Sequence, residues 1–222
     1  MQSVEGNSVD AHRRFERKLG TFLVDYELKE RPALVLQACP VDADVEVNVA
    51  DSAIKVALVQ GNPDGAGSSW NDLQGSASAL RGSVDGVACV SADRPPIWAS
   101  ELHTDGHLIA GVWDFERPAG AGQELLITWH YVDFFADFGR LAADVAIKID
   151  HNNADWLVTA TLLGAGSVHY GSKANRRSNR LSPPLRRRNL EFRIRRCVGA
   201  EGLRQGAVLM GKDFQRAYGE PA

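Results

Sequence analysis

A thiol becomes a nucleophile when a base or a positive charge draws off its proton, and a histidine on a neighbouring strand can supply either. Cys89 and His103 are the pair in this chain whose spacing offers that arrangement. They lie within Gly82–Glu116, which reads as a strand, a polar break at Ala92-Asp-Arg-Pro-Pro96, and a hairpin turning at Asp105-Gly106. The chemistry would be a hydrolysis or deamidation through Cys89. The competing reading is that Cys89 fills space, the ordinary role of a buried cysteine. Cys39 and Cys197 read as structural.

A second group of residues could do chemistry by charge alone. Arg176, Arg177 and Arg180 precede Pro183-Pro184, Arg186, Arg187 and Arg188 follow it, and Arg193, Arg195 and Arg196 lie in a run where Leu190, Phe192 and Ile194 alternate with polar residues. A guanidinium binds two oxygens of a phosphate or carboxylate at once. Clustered positive charge also supplies the sequence-independent part of nucleic-acid affinity. Aromatic residues are sparse here (Phe192, with Tyr170 just upstream), so base stacking is not indicated. The segment 172–198 therefore suggests contact with a polyanion or with acids on a neighbouring subunit, or a solvated loop.

The stretch Gly86–Thr104, with a glycine-led run before Cys89 and a histidine downstream, resembles the Cys/His deamidase toxins built on β-sandwiches. Val87-Ala88 stand where that family favours Ser-Gly. The resemblance implies Cys89 as nucleophile and His103 as its base.

Other patterns fall short of a site. Gly166 to Lys173 has the spacing of a phosphate loop, but its last Ser and Lys are transposed. Asp150-His-Asn-Asn-Ala-Asp155 offers oxygen ligands, yet Asn and Asp are also what turns use. The histidines have no zinc-like spacing, and no cofactor or metal is expected. Trp70, in the irregular Gly61–Gly82 stretch, could serve a sugar- or ligand-binding sandwich.

The charge is uneven. Of 25 Lys/Arg and 28 Asp/Glu, ten and one fall between Lys173 and Arg196, leaving 15 and 27 elsewhere, a balance of −12. Such a contrast suits an anion-binding segment or a basic strip docking on an acidic copy. The chain has 222 residues, 44% of them hydrophobic, enough for one domain over 1–222. Three scattered cysteines make no disulfide framework. No membrane span and no secretory signal are read, so a cytoplasmic or particle-associated protein is expected.

The elements that must position these residues read mostly as strands. Residues 1–20 suggest a short helix stopped at Gly20, followed by a strand over Thr21–Lys29. Further strands are expected at Ala33–Cys39, Val45–Val49, Ile54–Val59, Val84–Ser91, Glu124–Phe135, Val145–Ile149 and Trp156–Leu163. Gly206–Tyr218 reads as a short strand and turn. In the hairpin, a two-residue turn at Asp105-Gly106 places Trp98 opposite Trp113 and Leu102 opposite Ile109. It also sends His103 and His107 to opposite faces. Nine to eleven short strands with few helices predict an all-β, mainly antiparallel sandwich or jelly-roll-like fold. The function these features favour is a non-enzymatic binding or assembly protein, an oligomer or a structural subunit of a viral or phage-type particle. The Cys89/His103 enzyme is the alternative.

Overall fold

The computed structural model describes residues 4–42, 44–60, 78–83, 85–91, 94–113, 125–128, 130–171 and 182–220. Its elements run α1 (Val4–Asp25), β1 (Ala33–Pro40), α2 (Ser52–Gln60), β2 (Ser78–Ser83), β3 (Gly86–Ser91), β4 (Trp98–His103), β5 (Leu108–Val112), β6 (Leu125–Thr128), α3 (His130–Lys148), β7 (Asp155–Leu163), β8 (Val168–Gly171), β9 (Leu190–Glu191), β10 (Arg195–Val198) and α4 (Gly199–Ala217). Eight strands form one antiparallel sheet in the order β10-β7-β1-β5-β4-β3-β2, with β9 beside β10 on β7; β6 and β8 form a separate parallel pair. The all-β expectation is corrected: the sheet is mostly antiparallel, but four helices accompany it, and it is these that cover its faces.

Each face has its own core. Leu34, Leu36 and Ala38 of β1, Trp156 to Leu162 at alternate positions of β7, and Trp98, Leu102, Leu108 and Ala110 pack with α2, α3 and α4. Ala33, Val35, Ala88, Val90, Ala99, Ile109 and Trp113 pack on the other side with Phe22 of α1 and Leu28. Covered on both sides, β1 is buried along its whole length, which explains its uninterrupted apolar run.

Five stretches read as strands are wholly or partly helical. Helix α1 runs through Gly20 into the expected Thr21 strand, because Phe15, Lys18, Leu19, Phe22 and Tyr26 share one face at helical spacing. Phe22 and Tyr26, four residues apart, place their rings 4.6 Å apart, while Val24 is exposed. Ile54–Val59 lies in α2 and Gly206–Ala217 in α4; the expected Glu124–Phe135 strand is a strand only over Leu125–Thr128 and is helical from His130, and the expected Val145–Ile149 strand is the end of α3. The stop signals explain the misreading. Leu28 N–H donates to Leu23 O with Glu27 at φ 56°, and His151 N–H donates to Ala146 O with Asp150 at φ 57°. Both are Schellman closures with an acid at the left-handed position where glycine is usual. Helix α4 closes the same way at Gly219, and it contains Gly202, Gly206 and Gly211, a residue type that helix interiors disfavour.

The strands at Ala33, Trp156 and Val84 and the Asp105-Gly106 hairpin are present, the Val84 strand beginning at Gly86. Val45 to Val49 forms no strand, yet its alternation survives: Val45 and Val47 are buried and their neighbours exposed. The end of the irregular Gly61–Gly82 stretch is β2; Trp70 lies outside the described residues.

Candidate functional site

The hairpin turn decides where the histidines go. Gly106 sits at φ 73°, its N–H donates to His103 O, and His103 N–H donates to His107 O, so the loop holds three residues, not two. The extra residue shifts the register by one: Leu102 pairs with Leu108 and Trp98 with Val112. A one-residue shift reverses every side chain on one strand. The expected Trp98–Trp113 pair is therefore absent. Trp98 joins the α3/α4 core, while Trp113 packs against Phe22 and Tyr26 of α1. His103 and His107 share a face, with ring centroids 6.3 Å apart.

The sheet register also separates the proposed nucleophile from its base. Cys89 pairs with Ser100 and His103 pairs with Gly86, which puts the two side chains on opposite faces. Cys89 belongs to the α3/α4 core. The sheet itself stands between thiol and imidazole, so the pair is not assembled as a dyad. All three cysteines are buried thiols, and burial pushes the Cys39 thiol up to about 12 and raises that of Cys197. Iodoacetamide near neutral pH is expected to leave all three unmodified in the folded chain and to alkylate all three in denaturant, read by intact mass. Rapid loss of the Cys89 thiol under native conditions would revive the enzyme reading.

The face that carries the histidines holds a buried polar network that the sequence did not reveal. Tyr26 donates its hydroxyl to Glu101 Oε1 at 2.8 Å, and Glu101 Oε2 lies 3.4 Å from His103 Nε2. His107 Nε2–H donates to Gln37 Oε1 at 3.0 Å, and the ring meets Phe15 edge-on at 5.3 Å. Lys18 Nζ approaches Asp105 Oδ2 at 3.5 Å, and Arg14 donates to Pro40 O at 3.0 Å. Burial holds the His107 imidazole down to about 3 and pushes the Tyr26 hydroxyl up. Burial would raise Asp105, but the His107 amide and the Lys18 ammonium outweigh it and hold the carboxyl below its ordinary value. The network spans α1 and β1, β4 and the hairpin loop. It fixes α1 on the sheet; Glu101, His103, His107 and Gln37 are all buried, so no substrate reaches them without α1 moving. Among the described residues, no group of three or more His, Cys, Asp or Glu side chains is placed to hold a metal ion.

The arginines stand on the opposite edge of the sheet from β2. Arg176, Arg177 and Arg180 lie outside the described residues. Residues 182–189 are strapped down by the Tyr170–Ser182 backbone bonds, by Leu185 N–H to Ala165 O, and by Gly164 N–H to Asn189 Oδ1. Beyond them, β9 and β10 pair with the same edge of β7, Glu191 opposite Thr161 and Arg195 opposite Val158. Three residues separate those positions on the edge strand and two on β7, so Phe192–Ile194 contain a bulge. A bulge and charges are the usual means of blunting an exposed edge.

Not every arginine is available. Arg195 is paired with Asp213 of α4, Arg196 with Asp155, and Arg188 with Glu30 across 3.4 Å at a fully open surface. Arg186, Arg187 and Arg193 are exposed, and no acid stands within ion-pair distance of them among the described residues. Beside this edge, Val198 is 67% exposed, and Val208 and Leu209 of α4 are also open. This region thus brings together a strand edge, exposed apolar side chains on β10 and α4, and guanidinium groups with no acid within ion-pair distance among the described residues.

The chain is thereby defined as an α+β protein with an antiparallel main sheet and an arginine-bearing edge. Comparison with protein-family models, with curated proteins and with solved structures finds no match. No helix among the described residues is long and apolar enough to cross a membrane.

Proposed function

We propose that this chain is a non-enzymatic binding or assembly protein whose Arg186–Arg196 edge engages an anionic partner. The observation that carries this reading is that Arg186, Arg187 and Arg193 are exposed, anchored on a strapped segment, and without an acid of their own among the described residues. Guanidinium groups held in place without a counter-charge suit carboxylates or phosphates supplied from outside. The acidic balance of the rest of the chain suits packing of this edge on further copies in a larger assembly. The Cys89/His103 alternative gains nothing from the geometry, since the sheet divides the pair.

Light scattering across a salt series, with and without a heparin fragment, tests the reading. A complex or an assembly that dissociates as salt rises is expected, with the triple variant Arg186→Ser, Arg187→Ser, Arg193→Ser weakening it by about tenfold or more at low salt. A salt-indifferent monomer that ignores every anionic probe would end it.

A further inference from the structure

We infer that the edge of β10 accepts an added strand: an extended partner segment that alternates acidic and apolar residues and pairs antiparallel with Arg196 and Val198. This rests on the anionic-partner reading and names the partner's chemistry.

The backbone leads the argument. β10 ends the order of the sheet and is bonded only to β7 among the described residues. Gly199 N–H donates inward to Ala154 O, in the register that pairs Val198 with Asp155. Inward bonding alternates along an antiparallel pair, so Cys197 and Arg195 also bond inward. Arg196 and Val198 then turn their amide N–H groups, and Arg196 its carbonyl, to the open side. These are obligatory hydrogen-bonding groups at an edge that has no partner strand among the described residues, and an added strand satisfies them.

The side chains set the sequence such a strand would need. Cys197 faces α4, and Arg196 and Val198 face the other way. Between β10 and α4 runs a groove of about 440 Å³ whose floor includes Gly202, Gly206 and Leu209. Gly206 has no room for a side chain, since a Cβ there would meet Cys197 Sγ, so the floor stays low. Partner residues opposite Cys197 would drop apolar side chains onto this floor. Residues on the Arg196 face of the added strand, as they near Arg193, would present acids to its exposed guanidinium group, Arg196 being already paired with Asp155. Cross-strand neighbours share a face, so the required pattern is strict alternation.

The same facts argue against two other occupants. A second copy pairing through its own β10 would bring one arginine-bearing edge against another, and Arg195-Arg196-Cys197-Val198 offers no acid to answer the exposed Arg193. A nucleic acid would use the guanidinium groups but leave the backbone edge and the apolar floor unused.

The test uses the full chain and a fluorescein-labelled hexapeptide, acetyl-Glu-Val-Glu-Leu-Glu-Val-amide, followed by anisotropy. In antiparallel addition, the glutamates opposite Arg196 and Val198 direct their amides at the edge. N-methylation of the glutamate amides is expected to weaken binding by about tenfold or more, whereas N-methylation of the Val and Leu amides is tolerated. Leu209→Glu is expected to weaken the unmodified peptide to a similar extent. Because the decisive change is made on the peptide, the result does not depend on a variant folding. Binding that is indifferent to both methylation patterns, but lost in the triple arginine variant, overturns strand addition while leaving the anionic-partner reading in place. Binding of a poly-dT oligonucleotide without binding of the peptide has the same meaning. Failure of the peptide, the oligonucleotide and self-association alike removes both.

Discussion

Urea unfolding at about pH 4.5 is expected to give a stability about 3 kcal/mol lower than at about pH 7, with His107 responsible for most of the loss. The imidazole is buried and held down to about 3, against an ordinary value of 6.5. A folded value below the unfolded one means that the unfolded chain binds the proton first. The stabilising contribution is therefore complete above 6.5 and is lost as the pH falls from 6.5 towards 3. Around the ring stand Gln37 of β1, Phe15, Lys18 and Arg14 of α1, and His103 and Asp105 of the hairpin. Asp105 favours the charged imidazole, but burial dominates, and Lys18, Arg14 and His103 add to it. Asp105 acts in a lower window. Its carboxyl is held below the ordinary 3.8, so its contribution is lost only as the pH falls through that lowered value. His107→Gln retains a donor for Gln37 and removes the titration. It is expected to flatten the slope between about pH 6.5 and 4.5, and an unchanged slope would show that the acid sensitivity lies elsewhere.

The second large effect is steric. A Cβ on Gly139 of α3 would lie 2.7 Å from Ala207 Cβ and 3.2 Å from Arg204 Cα of α4. The helices meet at that point with almost no side chain between them. Gly139→Leu must push α4 outward, away from Phe135 and Phe138, and unseat Leu203, Met210 and Phe214, all of which are buried. The expected cost is about 3 kcal/mol or more, read as a lower urea midpoint, or outright failure to fold. Gly20→Ala is the matched control. Gly20 lies inside α1, is exposed, and has nothing within 4 Å of its Cβ position. That change is expected to stabilise by ~0.5–1 kcal/mol, since only helix propensity changes. Equal effects at the two glycines would contradict the close approach of α3 and α4.

These sites mark what could and could not be seen in the sequence. β1 and β7 were legible because they are long apolar runs bounded by Pro, Gly or Asp, and the hairpin because Asp105-Gly106 announces a turn. Glu27 and Asp150 carry no such announcement. An acid in the left-handed conformation ends a helix only because tertiary packing holds the next turn in place. Aromatic and β-branched residues such as Tyr131, Val132 and Val145 then make α3 look like strands. The arginine strip was plain in composition, but which guanidinium groups are neutralised depends on Asp155, Asp213 and Glu30, all distant in sequence. The buried network was hidden by one residue. A two-residue turn separates His103 from His107; the three-residue loop unites them over Glu101 and Gln37.

The position of β1 bears on how the chain is made. Both of its neighbours, β5 and β7, come later in the sequence, and β7 is complete only at Leu163. As the chain leaves the ribosome, the edge of Ala33–Pro40 that meets β7 stays uncovered while residues 41–154 are added. Loop closure of that length makes its pairing slow. The segment is uncharged and apolar, so a chain interrupted after β5 would present β1 as a bare, sticky edge. Ribosome stalling or proteolysis between β5 and β7 should accordingly yield aggregates rather than a soluble fragment, and a holdase acting on nascent chains would find its target in β1.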